Sequence, residues 1–193
     1  MKKIVAVIGD ARVGEDDPRY KTAYAIGKAL VDAGYRIQTG GLHGVMEGAC
    51  KGARASEKYK EGDVIAILPF FDPSFANEYV DVVIPTGMDV YRNVIVANAS
   101  AVVAIGGGAG TLSELASAWT LKRLVIGVTG VGGWSEKLAG HPLDDRVRYE
   151  DIPEDRVYEA KDAEEVIGLI GKYMERYDAY HAGIRTFGGK TKE

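Results

Sequence analysis

Short runs of apolar, largely β-branched residues alternate along the chain with longer stretches whose apolar positions recur at helical spacing. Ile4–Ile8, Val64–Leu68, Val102–Ile105 and Leu124–Val128 are nearly unbroken apolar runs, the pattern of strands buried on both faces of a parallel sheet. Arg36–Thr39 and Val80–Ile84 are weaker strand candidates. The stretch Tyr20–Ala33 brings Ala23, Ile26, Leu30 and Ala33 onto one face, and Gly34 supplies its stop. Val45–Lys58, Tyr91–Ala99, Gly110–Leu121 and Ala163–Arg176 predict further helices. The polar region Trp134–Arg156, with Pro142 and Pro153, predicts a long connection leading to a short strand near Val157-Tyr158. Strands and helices in alternation imply right-handed crossovers. The fold class is α/β, a Rossmann-like doubly wound parallel sheet in three α/β/α layers.

At 193 residues the chain fits one large domain better than two small ones. We place a single Rossmann-like domain at residues 1–176 and a tail at 177–193. The tail lacks periodicity, is rich in Gly and Lys, and is expected to be flexible unless a partner subunit holds it. The formal net charge of −4 offers no basic field for nucleic acid, so none is expected as a partner. An anion site must then be local, made of backbone amides and a few placed arginines. The basic start Lys2-Lys3 precedes an apolar run too short for a signal peptide, broken by Gly9-Asp10. No stretch approaches the ~20 apolar residues of a membrane span, and the lone Cys50 fits a reducing compartment. A cytoplasmic protein away from membranes is expected.

The most informative segment is Ala101–Glu114, in which a buried strand runs into Gly106-Gly107-Gly108 and a helix opens at Gly110-Thr111. Glycines let an anion approach the backbone amides, and a helix start aims free N–H groups at the same spot. Thr111 can cap the helix and donate its hydroxyl to a phosphate oxygen. No Lys-Ser/Thr follows, so this is not a Walker loop. A tight turn with a plain cap fits the same letters. A second cluster, Thr39–Gly48, again links strand to helix, and a third, Gly127–Gly133, precedes Trp134. Two such turns at one end of a sheet would face each other across a cleft. After the first strand, Gly9–Gly14 is only loosely glycine-rich.

Glu114 in the first turns of the Gly110 helix suits base or water-positioning work, or simply complements the helix dipole. Arg92 offers a planar donor fork for phosphate, or is a surface arginine. His43 reads as a turn residue and Cys50, among Ala49, Gly52 and Ala53, as helix packing. The histidines and the cysteine show no ligand spacing, so no metal is expected.

Gly107–Glu114 resembles the Pro-Gly-Gly-x-Gly-Thr-x-x-Glu signature of the Lonely Guy (LOG) proteins, phosphoribohydrolases that release a base from nucleoside 5′-monophosphates. Gly40–Met46 resembles their Gly-Gly-x-x-Gly-Leu-Met element, and the likeness runs from Lys3 to about Ile170. Arg92-Asn93, the three-glycine loop and Gly132-Gly133-Trp134 are similar to the branch that includes molybdenum cofactor carriers. The resemblance implies ligand contacts at Gly107, Gly108, Gly110 and Thr111, joined by Gly40, Gly41 and Gly9, with Arg92 and Glu114 as the catalytic pair beside a ribose. It implies no required cofactor, a small phosphorylated ligand (a nucleoside monophosphate or a molybdopterin-type compound), and a homodimer or homotetramer. Two positions depart from the enzymes. Gly106 replaces proline, and Tyr91-Arg92 stands where they carry an Arg-Lys pair. The lysine decarboxylase label borne by relatives lacks a lysine in a candidate cleft wall.

Overall fold

The computed structural model describes residues 1–179. Seven strands, β1 (Ile4–Gly9), β2 (Arg36–Thr39), β3 (Val64–Leu68), β4 (Val82–Pro85), β5 (Ala101–Ile105), β6 (Leu124–Val128) and β7 (Tyr158–Ala160), form one sheet in the order β4-β3-β2-β1-β5-β6-β7. Every pairing is parallel. The helices are α1 (Pro18–Asp32), α2 (Val45–Arg54), α3 (Asn93–Ala97), α4 (Ala109–Thr120), α5 (Gly133–Leu138) and α6 (Ala163–Ala179). The architecture is thus the α/β doubly wound, three-layer one that the apolar pattern predicted. No helix among the described residues is long and apolar enough to cross a membrane.

Alternation along β1 sorts the core into two halves. Val5 and Val7 point to a cluster with residues of α1, α2 and α6, whereas Ala6 and Ile8 point to one with Val96 of α3, Leu115 and Trp119 of α4, and Leu138 of α5. The chain winds outward from β1 to β4 on one side and returns to β5 on the other, so the strand order reverses between β1 and β5. Loops leaving these two neighbours diverge, and in open α/β sheets that divergence opens a crevice at the strands' carboxyl ends.

Several boundaries differ from the sequence expectations, each for a local reason. α2 stops at Arg54 rather than Lys58, because the Ser56 hydroxyl accepts from the Lys58 N–H (3.1 Å) and donates to Asp32 (2.6 Å), turning the chain. The expected helix Tyr91–Ala99 is a 3-10 turn, Asp89–Arg92, followed by the short α3. The connection expected from Trp134 contains α5, hidden behind Gly132-Gly133. The expected tail begins as helix: the face of Val166, Ile170, Tyr173 and Met174 continues to Tyr177, whose hydroxyl donates to Asp155 (2.5 Å). The rest of that expected tail, from residue 180, lies outside the described residues.

α1 and α2 meet backbone to backbone. A Cβ added at Gly27 would fall on the Ala49 carbonyl oxygen, and one at Gly52 on that of Tyr24. Helix propensity alone favours alanine over glycine by about 1 kcal/mol, but overpacking costs about 1–3 kcal/mol. Gly52→Ala should therefore lower the urea midpoint of unfolding at unchanged slope. A neutral or stabilising result would show that the two helices do not approach this closely.

Candidate functional site

The β1/β5 crevice is a cleft of about 590 Å³ lined by Gly9–Arg12 after β1, Leu42 and Met46 from the α2 entry, Arg92 and Asn93 from the α3 entry, and Gly108–Thr111 with Glu114 on α4. β5 is buried along its whole length and ends in Gly106 and Gly107, with φ of 65° and 95°, angles that favour glycine. This turn is held from every side. The Gly106 N–H donates to Ser135 Oγ (2.8 Å) and the Gly107 N–H to Asp10 Oδ2 (2.7 Å). Their carbonyls accept from the N–H groups of Ser135 and Trp134, both at 3.0 Å. The hydroxyl of fully buried Ser135 in turn donates a hydrogen bond to the Val128 carbonyl (2.8 Å).

Beyond Gly107 the pattern changes. Gly108 is the N-cap of α4 and provides no side-chain cap, and the first bond into the helix is Leu112 N–H to the Gly108 carbonyl (3.0 Å). The N–H groups of Gly108, Ala109, Gly110 and Thr111 have no hydrogen-bond partner among the described residues, and all four residues line the cleft. Unpaired donors reinforced by the helix dipole are suited to receiving an anion. Thr111 is not the cap the sequence suggested. It occupies the third helical position, with its side chain packed where a Cβ at Gly107 would stand.

Arg92 and Glu114 form the cleft's buried charged pair, each 7% exposed, with the guanidinium Nη1 donating to Glu114 Oε1 at 3.4 Å. Arg92 Nε is buried with no partner among the described residues. Burial pushes the Glu114 carboxyl up to about 7, the Arg92 charge opposing it, and the same burial lowers the Arg92 guanidinium from its ordinary value. A carboxyl poised near neutrality is suited to giving or taking a proton. A buried arginine with spare donors is suited to receiving an anion.

Of the residues singled out from the sequence, Gly108, Gly110, Thr111, Glu114 and Arg92 converge on the cleft, and Gly9 lies in its floor. A side chain at Gly9 would strike the Ile105 carbonyl and Val45. Gly107 turns its N–H to Asp10 rather than to the cleft. Gly40 and Gly41 line no part of the cleft and act one layer behind it. A Cβ at Gly40 would meet both terminal nitrogens of Arg92 at 2.6 Å, and one at Gly41 would meet Ala66 and Leu68 at 2.7 Å. The third glycine cluster likewise serves as a buttress, since a Cβ at Gly133 would strike the Gly106 backbone.

Sequence reading missed Asp10, whose carboxylate takes both the Gly107 N–H and Arg19 Nη1 (3.1 Å), and Asn93, which donates to Ser113 Oγ (2.7 Å). The position of Asp10 at the end of the first strand was the available signal. Leu42 and Met46 lay inside the Gly40–Met46 element without being singled out, and Arg12 carried no signal. Cys50 is buried in helix packing, its thiol pushed up to about 11 by burial. Exposed His43 pairs with Glu47 (3.0 Å). Among the described residues, no lysine lines the cleft.

A family model described as SLOG cluster4 matches residues 2–167. Among solved structures, the protein TM1055, a structural genomics target, is 29% identical, with a TM-score of 0.74 over 88% of this chain and 99% of its own. The molybdenum cofactor binding protein of the phototrophic bacterium Rippkaea orientalis is 31% identical, with a TM-score of 0.70 over 89% and 97% of the two chains. The molybdenum cofactor carrier protein of Chlamydomonas reinhardtii is 27% identical, with a TM-score of 0.69 over 89% and 98%.

The Glu114 shift has a thermodynamic signature. The ordinary value is 4.5 and the folded value about 7, so folded protein keeps a proton that the unfolded chain sheds between them. Stability from this group therefore falls as pH rises through that window. Glu114→Gln mimics the neutral acid at every pH. It should be more stable than the parent near pH 8, by up to about 3 kcal/mol, with the gap closing near pH 4. Denaturant titrations across pH read this directly, and equal stabilities near pH 8 would show an ordinary Glu114.

Proposed function

Because the chain belongs to the SLOG cluster4 family, we propose that its cleft binds a small phosphorylated ligand of nucleotide type. The phosphate lies against the N–H groups of Gly108–Thr111. The observation that carries this reading is the pairing of four unsatisfied main-chain donors with an arginine whose buried Nε lacks a partner, all on one cleft. A phosphate or the hydroxyls next to it would supply the missing acceptors.

The chemistry that fits these groups is hydrolysis of the N-glycosidic bond of a nucleoside 5′-monophosphate. The bond from the anomeric carbon to the base nitrogen breaks, a water hydroxyl adds to that carbon, and the remaining water proton reaches the departing base. Glu114 positions the water and takes its proton when ionised, and it is well placed to hold the developing oxocarbenium charge beside Arg92. Leu42 and Met46 give the cleft an apolar side against which a flat base can lie.

A second reading is a carrier that holds a molybdopterin-type ligand by the same phosphate site without turning it over. Two observations favour it: the likeness to the Rippkaea and Chlamydomonas proteins, and Tyr91 where LOG enzymes have arginine. Tyr91 is exposed in this chain.

Incubation with AMP should release adenine and ribose 5-phosphate, and Glu114→Ala should slow that release by about 10²-fold or more. Thermal stabilisation by phosphorylated compounds without their consumption would support the carrier instead. Neither turnover nor stabilisation across a panel of nucleotides and molybdopterin-type ligands would overturn both.

A further inference from the structure

The segment between β1 and α1 runs along the cleft and is pinned on both sides of it. The Asp10 carbonyl accepts from the Val45 N–H (2.9 Å), and the Asp10 carboxylate accepts from the Gly107 N–H (2.7 Å). The chain is thereby tied to the start of α2 and to the turn after β5. Val13 then packs against the core, and the Gly14 carbonyl accepts from the Asp17 N–H (3.0 Å). Between these anchors stand Ala11 and Arg12, both exposed and both lining the cleft.

Arg12 has acidic neighbours in sequence that would ordinarily claim it, namely Asp10, Glu15, Asp16 and Asp17. Each pairs with a different cation. Arg19 takes Asp17 (2.6 Å) and Asp10 (3.1 Å), Lys51 takes Glu15 (2.5 Å), and Lys21 faces Asp16 (3.9 Å). Glu114, the other acid of the cleft, makes its contact with Arg92. Arg12 has no hydrogen bond or ion pair among the described residues. The cleft therefore carries a second guanidinium whose charge nothing nearby answers.

One phosphate is already provided for by the amides of Gly108–Thr111 and by Arg92. At about 590 Å³ the cleft has the size of a site for a whole small molecule, about 300–1,000 Å³, not for a lone phosphate. A guanidinium fork matches the oxygens of a further phosphate. We propose that Arg12 binds a second phosphate, so that the cleft prefers a nucleoside diphosphate to a monophosphate, an inference that rests on the phosphate reading above and not on turnover. The first phosphate lies on the α4 amides and the next reaches Arg12. Because Arg12 is exposed, its contribution is screened as salt rises.

Titration calorimetry with AMP and ADP at low ionic strength tests this. ADP should bind about tenfold more tightly than AMP, and the gap should narrow with added salt. Arg12→Gln should melt like the parent, bind AMP much as before and lose the preference for ADP. Arg156→Gln, exposed and outside the cleft, should keep it. If AMP is consumed during titration, inorganic pyrophosphate against inorganic phosphate gives the same comparison without a glycosidic bond. Equal affinity for the two nucleotides, or a preference that survives Arg12→Gln, would overturn the role of Arg12 while leaving the phosphate site standing. Binding of neither nucleotide nor either inorganic anion would overturn both.

Discussion

An α-helix cannot satisfy the N–H groups of its own first turn, and the cleft of this protein is organised around that constraint at the start of α4. The turn before the helix spends its two amides on Ser135 and Asp10. The next four are left facing the crevice, where β1 and β5 part company. The division is sharp. Donors that set the backbone path are satisfied by the protein, and those that follow are presented to the cleft.

The second organising feature is the burial of Arg92 against Glu114. At 3.4 Å one long contact recovers only part of what two ions lose on leaving water. Glu114 responds by holding its proton, and Arg92 is left with a donor that nothing among the described residues accepts. Neither response helps stability. Gly40 leaves room for the guanidinium in this position, since any side chain there would displace it.

Most of the fold was legible because buried parallel strands need nearly unbroken apolar runs, and four of the seven announced themselves that way. Edge strand β4 begins two residues later than its apolar letters suggest, because the Val80 N–H closes a turn on the Asn77 carbonyl and the Asp81 carboxylate takes the N–H groups of Gly62 and Val64. α5 was hidden, since its entry is glycine and its six residues are too few to show a period. At the site, the residues of the glycine-rich loop before α4 could be read from their letters. The division of labour among glycines could not: Gly108 and Gly110 face the cleft, whereas Gly40, Gly41 and Gly133 keep side chains out of spaces that other groups occupy. That distinction depends on neighbours distant in the chain. The same holds for Asp10, whose partner Gly107 lies 97 residues away.

The buttressing of Gly106-Gly107 by Ser135, Trp134 and Asp10 has a kinetic corollary. A cradle already in its working shape requires no loop to swing and little ordering when a ligand lands. Encounter, not rearrangement, would then set how fast the site fills, and the rate of emptying would depend on how many of the waiting amides each visitor engages.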